Sequence, residues 1–575
     1  MKTNRLIPIV ALATFFSLTG CNNTPLSSSP LSSSVADSSS SSETSSSSEA
    51  SSSESSSSQV SSSSSEASSS SSSDIPEEPS RYTKPESYPG NYSADNMTVR
   101  NIGKMNGQVF MPSTGESAIL VIPISFTDRE FTSTELERIE NSFFGTSDET
   151  YWESVSSYYE KSSYGNLHIT GEVVDPISCG YTIEEAFDMY DRNSSFVQSL
   201  LYSALRELDD QGFDFSLFDL DEDGFLDAVW LVNSAFYFSG FNFLWAFTSW
   251  TTSWTLSFGG GYHVSSYSWA SVDFLRRYAA IDPSTSIYLE NSNSTTDGDA
   301  HTFIHETGHL MGLDDYYSYV GEDAPMGGLC MMDYNIGDQD AFSKFALGWI
   351  DPKVITKEEL EESNYQITLD RFTASGDAII IPIYRSGKMD YNNTPLDEYL
   401  IVEYYTPDGL NAMDATTPYE TVSMFDEPGI LVYHVNARIG GFTSFGYSVI
   451  WDDYCYDAIP TYSASQTKTF YYLYSNTREY SYDTSITKDA ETYYKGRLVS
   501  LMGADERKTY FTTTDLANND SLFQEDDVFA LPGGAYDDFL FDSENAPAFG
   551  FVVSEMNEES CTLLFDLTGF GGVGF

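Results

Sequence analysis

A mixed α/β domain followed by a β-rich region is the fold class this sequence predicts, on three observations. Between residues 118 and 233 apolar strand-like runs alternate with helical stripes, and beyond residue 351 short strand-like runs are separated by turn residues. Aromatic residues make up 15% of the 575-residue chain, enough apolar surface for both regions to bury cores.

The elements follow in order. Residues 118–126 form a continuous apolar strand, and helical patterning covers 133–144 and 151–161. Residues 166–174 read as a second strand. From 195 to 210, Val197, Leu200, Leu201, Leu205 and Leu208 fall on one helical stripe, and 228–233 is the next strand. Residues 234–293, rich in aromatics, Gly and Ser, read as strands and long loops. In the second region the runs 365–369, 378–384, 398–405, 429–435 and 549–554 are strand-like, and a β-sandwich is the expected architecture. No internal repeat is visible.

The chain opens with Lys2 and Arg5, an apolar run over 6–18, and then Leu18-Thr19-Gly20-Cys21. These are the parts of a secretory signal peptide, too short for a stable membrane span. The small residues before Cys21 resemble the lipobox of bacterial lipoproteins. That resemblance implies a signal over 1–20, lipid modification at Cys21, and a mature chain tethered to the outer face of a membrane. Residues 27–73 are almost all serine and cannot offset chain entropy by burial, so 21–76 is expected to be a disordered tether reaching about 40 Å. Residues 77–116 then serve as a linker or pro-segment, 117–350 as the α/β domain and 351–575 as the β-rich domain.

Acidic residues outnumber basic ones 86 to 27, a net charge of -59. A nucleic-acid binder needs clustered Lys and Arg to displace counterions, so that class is excluded. Apart from Cys21, Cys179, Cys330, Cys455 and Cys561 are too widely spaced for a known disulfide framework or zinc ribbon, and their pairing stays open.

The chemistry centres on His305-Glu306-Thr307-Gly308-His309, followed by Gly312 and Asp315. On a helix, positions i and i+4 share a face, so two imidazoles can meet one metal with Glu306 beside them. Gly312 permits a left-handed turn that ends the helix and brings Asp315 back as a third ligand, leaving the fourth zinc position for water. With only 6 His and 39 Gly in the chain, this string is expected by chance roughly 10⁻⁵ times. His301 lies one turn earlier on the same face and is assigned to the helix start. Downstream, Met332 and Tyr334 in Cys330-Met331-Met332-Asp333-Tyr334 resemble the Met-turn of metzincins.

Upstream, Asp219, Asp221, Asp223, Gly224 and Asp227 fit the first nine positions of a calcium loop, with Phe225 at the position that offers a backbone carbonyl. Position twelve is Trp230, so the usual bidentate Glu is missing. A single calcium site, not a paired one, is the expectation.

Together these strings resemble the immune inhibitor A-like secreted metalloproteases, the M-six peptidase family within the metzincins. The matching pieces are Tyr158-Tyr159-Glu160 through Ser163-Tyr164-Gly165, Asp214-Phe215-Ser216 leading into the Asp219 loop, and His305 to Asp315 with Tyr317. Phe342-Ser343-Lys344, Leu347-Gly348-Trp349, and the run from Gly429 to His434 match as well. The resemblance spans 118–435 and implies a metzincin-like catalytic domain with zinc on His305, His309 and Asp315. His434 is assigned to the core. The chain has no cysteine between Asn22 and Ser178, so latency through a pro-segment thiolate is ruled out.

The function this implies is a surface-tethered zinc endopeptidase acting on extracellular proteins, with Glu306 as general base and Tyr334 helping to stabilise the oxyanion. The alternative is a tethered adhesin that keeps the protease fold without catalysis. The intact Glu306 weighs against it, since a pure binder has no use for a carboxylate between two such histidines.

Overall fold

Nine consecutive buried positions in strand β1 (Gly115–Ser125) require apolar cover on both faces. The computed structural model provides it. It describes most of residues 98–565, together with the paired strands Ser87–Tyr88 and Tyr92–Ser93. The longer gaps in that span are 251–257, 276–280, 289–297, 417–423, 452–467, 478–496, 506–510 and 532–548. The signal segment, Cys21, the serine tether and Cys455 therefore lie outside the described residues.

β1 pairs in parallel with β2 (Leu167–Val173) on one side and β3 (Ala228–Asn233) on the other. The edge strand β4 (Phe247–Trp250) runs antiparallel to β5 (Ser266–Ser271), which itself pairs in parallel with β3. The order is β2-β1-β3-β5-β4. Side chains alternate across this sheet. Ile119, Val121, Trp230 and Val232 enter one core, while Leu120, Ile122, Val229 and Leu231 enter a second.

Helices cover both faces. Helix α1 (Val99–Asn106), α2 (Ser133–Phe144) and α3 (Val155–Ser162) join the first core; α4 (Ile183–Arg192) and α5 (Phe196–Asp210) join the second. Capping sets their starts. The Thr132 hydroxyl accepts the Glu135 N–H (3.2 Å) while the Glu135 carboxylate accepts the Thr132 N–H (2.9 Å). At α3 the Ser154 hydroxyl accepts the Ser157 N–H (3.0 Å), so the helix begins at Val155 and not at Tyr151, where the apolar pattern alone starts it. Neither α1 nor α4 is anticipated by the sequence reading. Residues 98–114, within the segment assigned to a linker or pro-segment, are packed into the fold: Val99, Ile102, Phe110 and Met111 are buried in the first core.

Past residue 350 the two largest sheets of the described residues are these. With β6 (Lys353–Val354), β7 (Tyr365–Asp370), β8 (Ala378–Pro382), β9 (Glu398–Tyr405), β10 (Gly429–Asn436), β11 (Val499–Leu501), β12 (Val528–Leu531), β13 (Phe549–Met556) and β14 (Ser560–Phe565), the orders are β6-β8-β9-β10-β11 and β7-β14-β13-β12. Ile379, Leu400 and Val432 of the first share a core with Leu369, Phe551 and Leu563 of the second. The alternate residues Ile380, Ile401 and Tyr433 enter the α/β region's first core, so apolar packing is continuous across residue 350. The α/β region with its parallel sheet is thus followed by β-rich sheets, the first of which shares its interior.

Candidate metal centres

Helix α6 (His301–Leu310) packs against β4 and β5, and β3 fixes it from below. The Trp230 ring stacks on Phe303 at 4.7 Å, and its indole N–H donates to the Thr307 hydroxyl (3.2 Å). A Cβ at Gly308 would sit 2.6 Å from the Met332 sulfur, so the missing side chain lets Met332 lie directly under the helix. The helix gives way to a turn at Gly312, with φ +100°, where a side chain would also collide with Phe110 and Val99.

His305 and His309 face the same side. The His305 Nδ1 lies 2.8 Å from the Met331 carbonyl and the His309 Nδ1 lies 2.8 Å from the Leu313 carbonyl, so each ring can donate there and turn Nε2 inward. The two Nε2 atoms sit 2.9 and 3.2 Å from one oxygen of buried Asp315. The Tyr319 hydroxyl donates to the other oxygen. His301 only opens the helix and stands outside this cluster.

The donor set fits a zinc ion. Tetrahedral donors about 2.0–2.1 Å from a common centre lie about 3.3 Å apart, close to the separations found, and two imidazoles with one carboxylate suit zinc. The electrostatics agree. Burial opposes charge on His309, but Asp315 outweighs it and raises the group to about 10. Burial likewise opposes charge on Asp315, and His309 and His305 reverse this, holding it well below the usual carboxylate range. Two imidazoles hold one buried carboxylate charged where a cation belongs.

Glu306 is buried beside them. Burial raises its pKa, partly offset by His309, His305 and a hydrogen bond from the Thr248 hydroxyl (2.8 Å). Thr248 belongs to edge strand β4, and the Ser268 hydroxyl lies 2.8 Å from it. On the open side Tyr317 stacks over His305 (6.4 Å), with Tyr334 5.1 Å from Tyr317, so Tyr334 is one ring removed from the histidine.

The second centre lies just before β3. The Asp219 carboxylate accepts the N–H groups of Asp223 and Gly224 (3.0 Å each), closing the loop at Gly224, φ +87°. Asp219, Asp221 and Asp227 each bring a carboxylate oxygen within 4.8 Å of the others. Buried Asp227 accepts from the Ala118 N–H (2.9 Å) with one oxygen, and the other has no partner. Burial raises Asp227 to about 7, with Asp221 and Asp219 adding to the rise. Asp223 faces elsewhere, toward Arg100 (3.5 Å) and Lys104 (3.8 Å) of α1, and Arg100 also pairs with Asp221. Phe225 forms a bridge with His263, and its ring lies 5.4 Å from that imidazole. This donor set, carboxylates only, suits a hard cation such as calcium.

Sequence spacing does not identify Thr248, Tyr319 or Asn476. Tyr319 lies only four residues past Asp315, within reach of a local pattern; Thr248 bonds Glu306 from 58 residues away, and Asn476 bonds the Tyr316 carbonyl from 160. Among the described residues no helix is long and apolar enough to cross a membrane. Compared with known proteins, the chain matches no family model and no curated protein.

Proposed function

We propose that this chain is a zinc endopeptidase of the metzincin type, similar to the immune inhibitor A-like proteases. In this reading the β-rich region is a sandwich, and a lipid on Cys21 tethers the protein outside the cell. The observation that carries the proposal is the buried cluster of His305, His309 and Asp315 with Glu306 adjacent and Met332 beneath.

Zinc bound there would supply Lewis acidity, polarising a peptide carbonyl and acidifying a water. Glu306, its pKa raised by burial and its orientation fixed by Thr248, takes the proton from the attacking water and returns it to the leaving amine. The Thr248 hydroxyl donates to the Glu306 carboxylate without neutralising it. Tyr334, whose ring lies 5.1 Å from that of Tyr317, is assigned as the oxyanion donor when substrate is seated. Among the described residues β4 pairs only with β5, which leaves its outer edge to add an extended peptide as a further strand. A calcium ion on Asp219, Asp221 and Asp227 would stiffen the entry to β3.

Replacing Glu306 by Gln tests this. Zinc content is expected to match the unmodified protein while casein cleavage falls by roughly 10²–10⁴-fold. Full cleavage by the Glu306→Gln protein would remove Glu306 from the mechanism.

A further inference from the structure

Asp315 sits in the irregular segment that follows α6, where main-chain pairing is sparse. The Tyr316 N–H donates to the Met332 carbonyl (2.8 Å), fixing one side. The other side is fixed from 160 residues further along the chain. The Asn476 side-chain amide donates to the Tyr316 carbonyl (2.9 Å) and to the Val499 carbonyl (2.8 Å), and its oxygen accepts from the Leu498 N–H (2.9 Å) and the Val499 N–H (3.3 Å). Asn476 is fully buried, so no water can replace these bonds, and its amide is used to capacity. Next to it, the Thr477 carbonyl accepts from the Tyr319 N–H (3.0 Å), and the Tyr319 hydroxyl donates to Asp315.

The base of this arrangement is rigid. The Arg497 guanidinium donates to the Asn476 carbonyl (2.6 Å) and to Asp323 (3.1 Å), and 497–499 runs into β11, which pairs with β10. Resting on the zinc reading above, we infer that Asn476 is a positioning residue for the third metal ligand. It reaches Asp315 by two arms: its own amide on Tyr316, and the neighbouring Thr477 carbonyl on Tyr319. Holding 498–499 together needs only part of that amide; the bond to Tyr316 serves the ligand segment. The β-rich region is therefore part of the metal centre, and a chain cut after the α/β region lacks one wall of it.

The test compares three variants of the full chain: Asn476→Ala, Tyr319→Phe, and Phe551→Leu, the last a substitution in the core between the two C-terminal sheets, away from the site. Zinc affinity is measured by competition with a chromophoric chelator, alongside thermal midpoint, kcat and KM. Asn476→Ala is expected to bind zinc at least tenfold more weakly and to lose kcat with little change in KM. Phe551→Leu lowers the midpoint and leaves zinc affinity unchanged. Tyr319→Phe deletes one half-buried hydroxyl and no backbone bond; it is expected to weaken zinc binding in the same direction, and it keeps the test open if Asn476→Ala does not fold. Unmodified zinc affinity in whichever variant folds overturns the positioning role while leaving the endopeptidase reading in place. An unmodified protein that takes up no zinc overturns both.

Discussion

The two candidate centres differ in what balances their carboxylates. At the histidine centre one buried carboxylate faces two imidazoles whose far nitrogens are turned toward backbone carbonyls, so the donors already point inward. At the aspartate loop three carboxylates crowd one another, and positive charge comes from Arg100 and Lys104 on α1. The first is built from inside the core; the second borrows its counter-charge from a segment that precedes the sheet. Buried donors with fixed partners lose little freedom on binding an ion, whereas a half-exposed loop must give up salt bridges first. β3 joins the two: Asp227 stands at its entry, and Trp230, three residues on, holds α6.

The largest expected effect lies at the first centre. His309→Ala should strip zinc by more than the roughly 10–100-fold typical of losing an outer partner, measured as metal content after dialysis. Retained zinc would break the contrast, because the inward-facing nitrogen would then not be a ligand. Next comes the connection. Trp230→Ala removes a fully buried indole and is expected to cost about 3–5 kcal/mol in urea unfolding. A cost under about 1 kcal/mol would mean that β3 does not brace α6.

At the aspartate loop the effect is smaller and ion-dependent. EGTA should lower the thermal midpoint of the unmodified protein and added calcium should restore it, while Asp227→Asn should show neither change. A calcium response that survives in Asp227→Asn would place the ion elsewhere.

The smallest effects are in pH dependence, where the centres occupy successive windows. Asp227 is raised from 3.8 to about 7, so the folded state holds its proton more tightly than the unfolded chain. Its contribution to ion-free stability therefore falls as pH rises from about 4 to 7 and is flat above. Calcium competes with that proton, so affinity should rise about tenfold between pH 6 and pH 8. His309 is raised from 6.5 to about 10, so the stability it gives the ion-free fold is complete below 6.5 and is lost as pH rises through about 10. Urea midpoints across pH, repeated with Asp227→Asn and His309→Ala, should each flatten one window only.

Much of this was legible in the chain because it is local. The i, i+4 histidines, the glycine that ends their helix and the alternating aspartates are short-range patterns, and the folded chain brings together His305, His309 and Asp315, and Asp219, Asp221 and Asp227. Strands β1 and β3 were readable because strands covered on both faces are continuously apolar; their parallel pairing shows only in the folded chain. What stayed hidden depends on pairing between distant segments. Thr248 reaches Glu306 across 58 residues, and Asn476 reaches Tyr316 across 160. Helix α1 escaped because it is short: its apolar stripe is only Val99, Ile102 and Met105, between a Thr98 cap with Asn101 and a Gly107 stop. Asp223 fits the loop pattern in sequence, yet its carboxylate pairs with Arg100 and Lys104 of α1, a contact invisible to spacing.

The central claim is best tested by measuring zinc content and casein cleavage on one preparation, before and after metal removal. A zinc endopeptidase built on this cluster should hold one zinc per chain, lose cleavage with the metal, and regain it when zinc returns. Cleavage that continues unchanged in the metal-free protein, or stoichiometric zinc with no cleavage of any protein substrate, would contradict it.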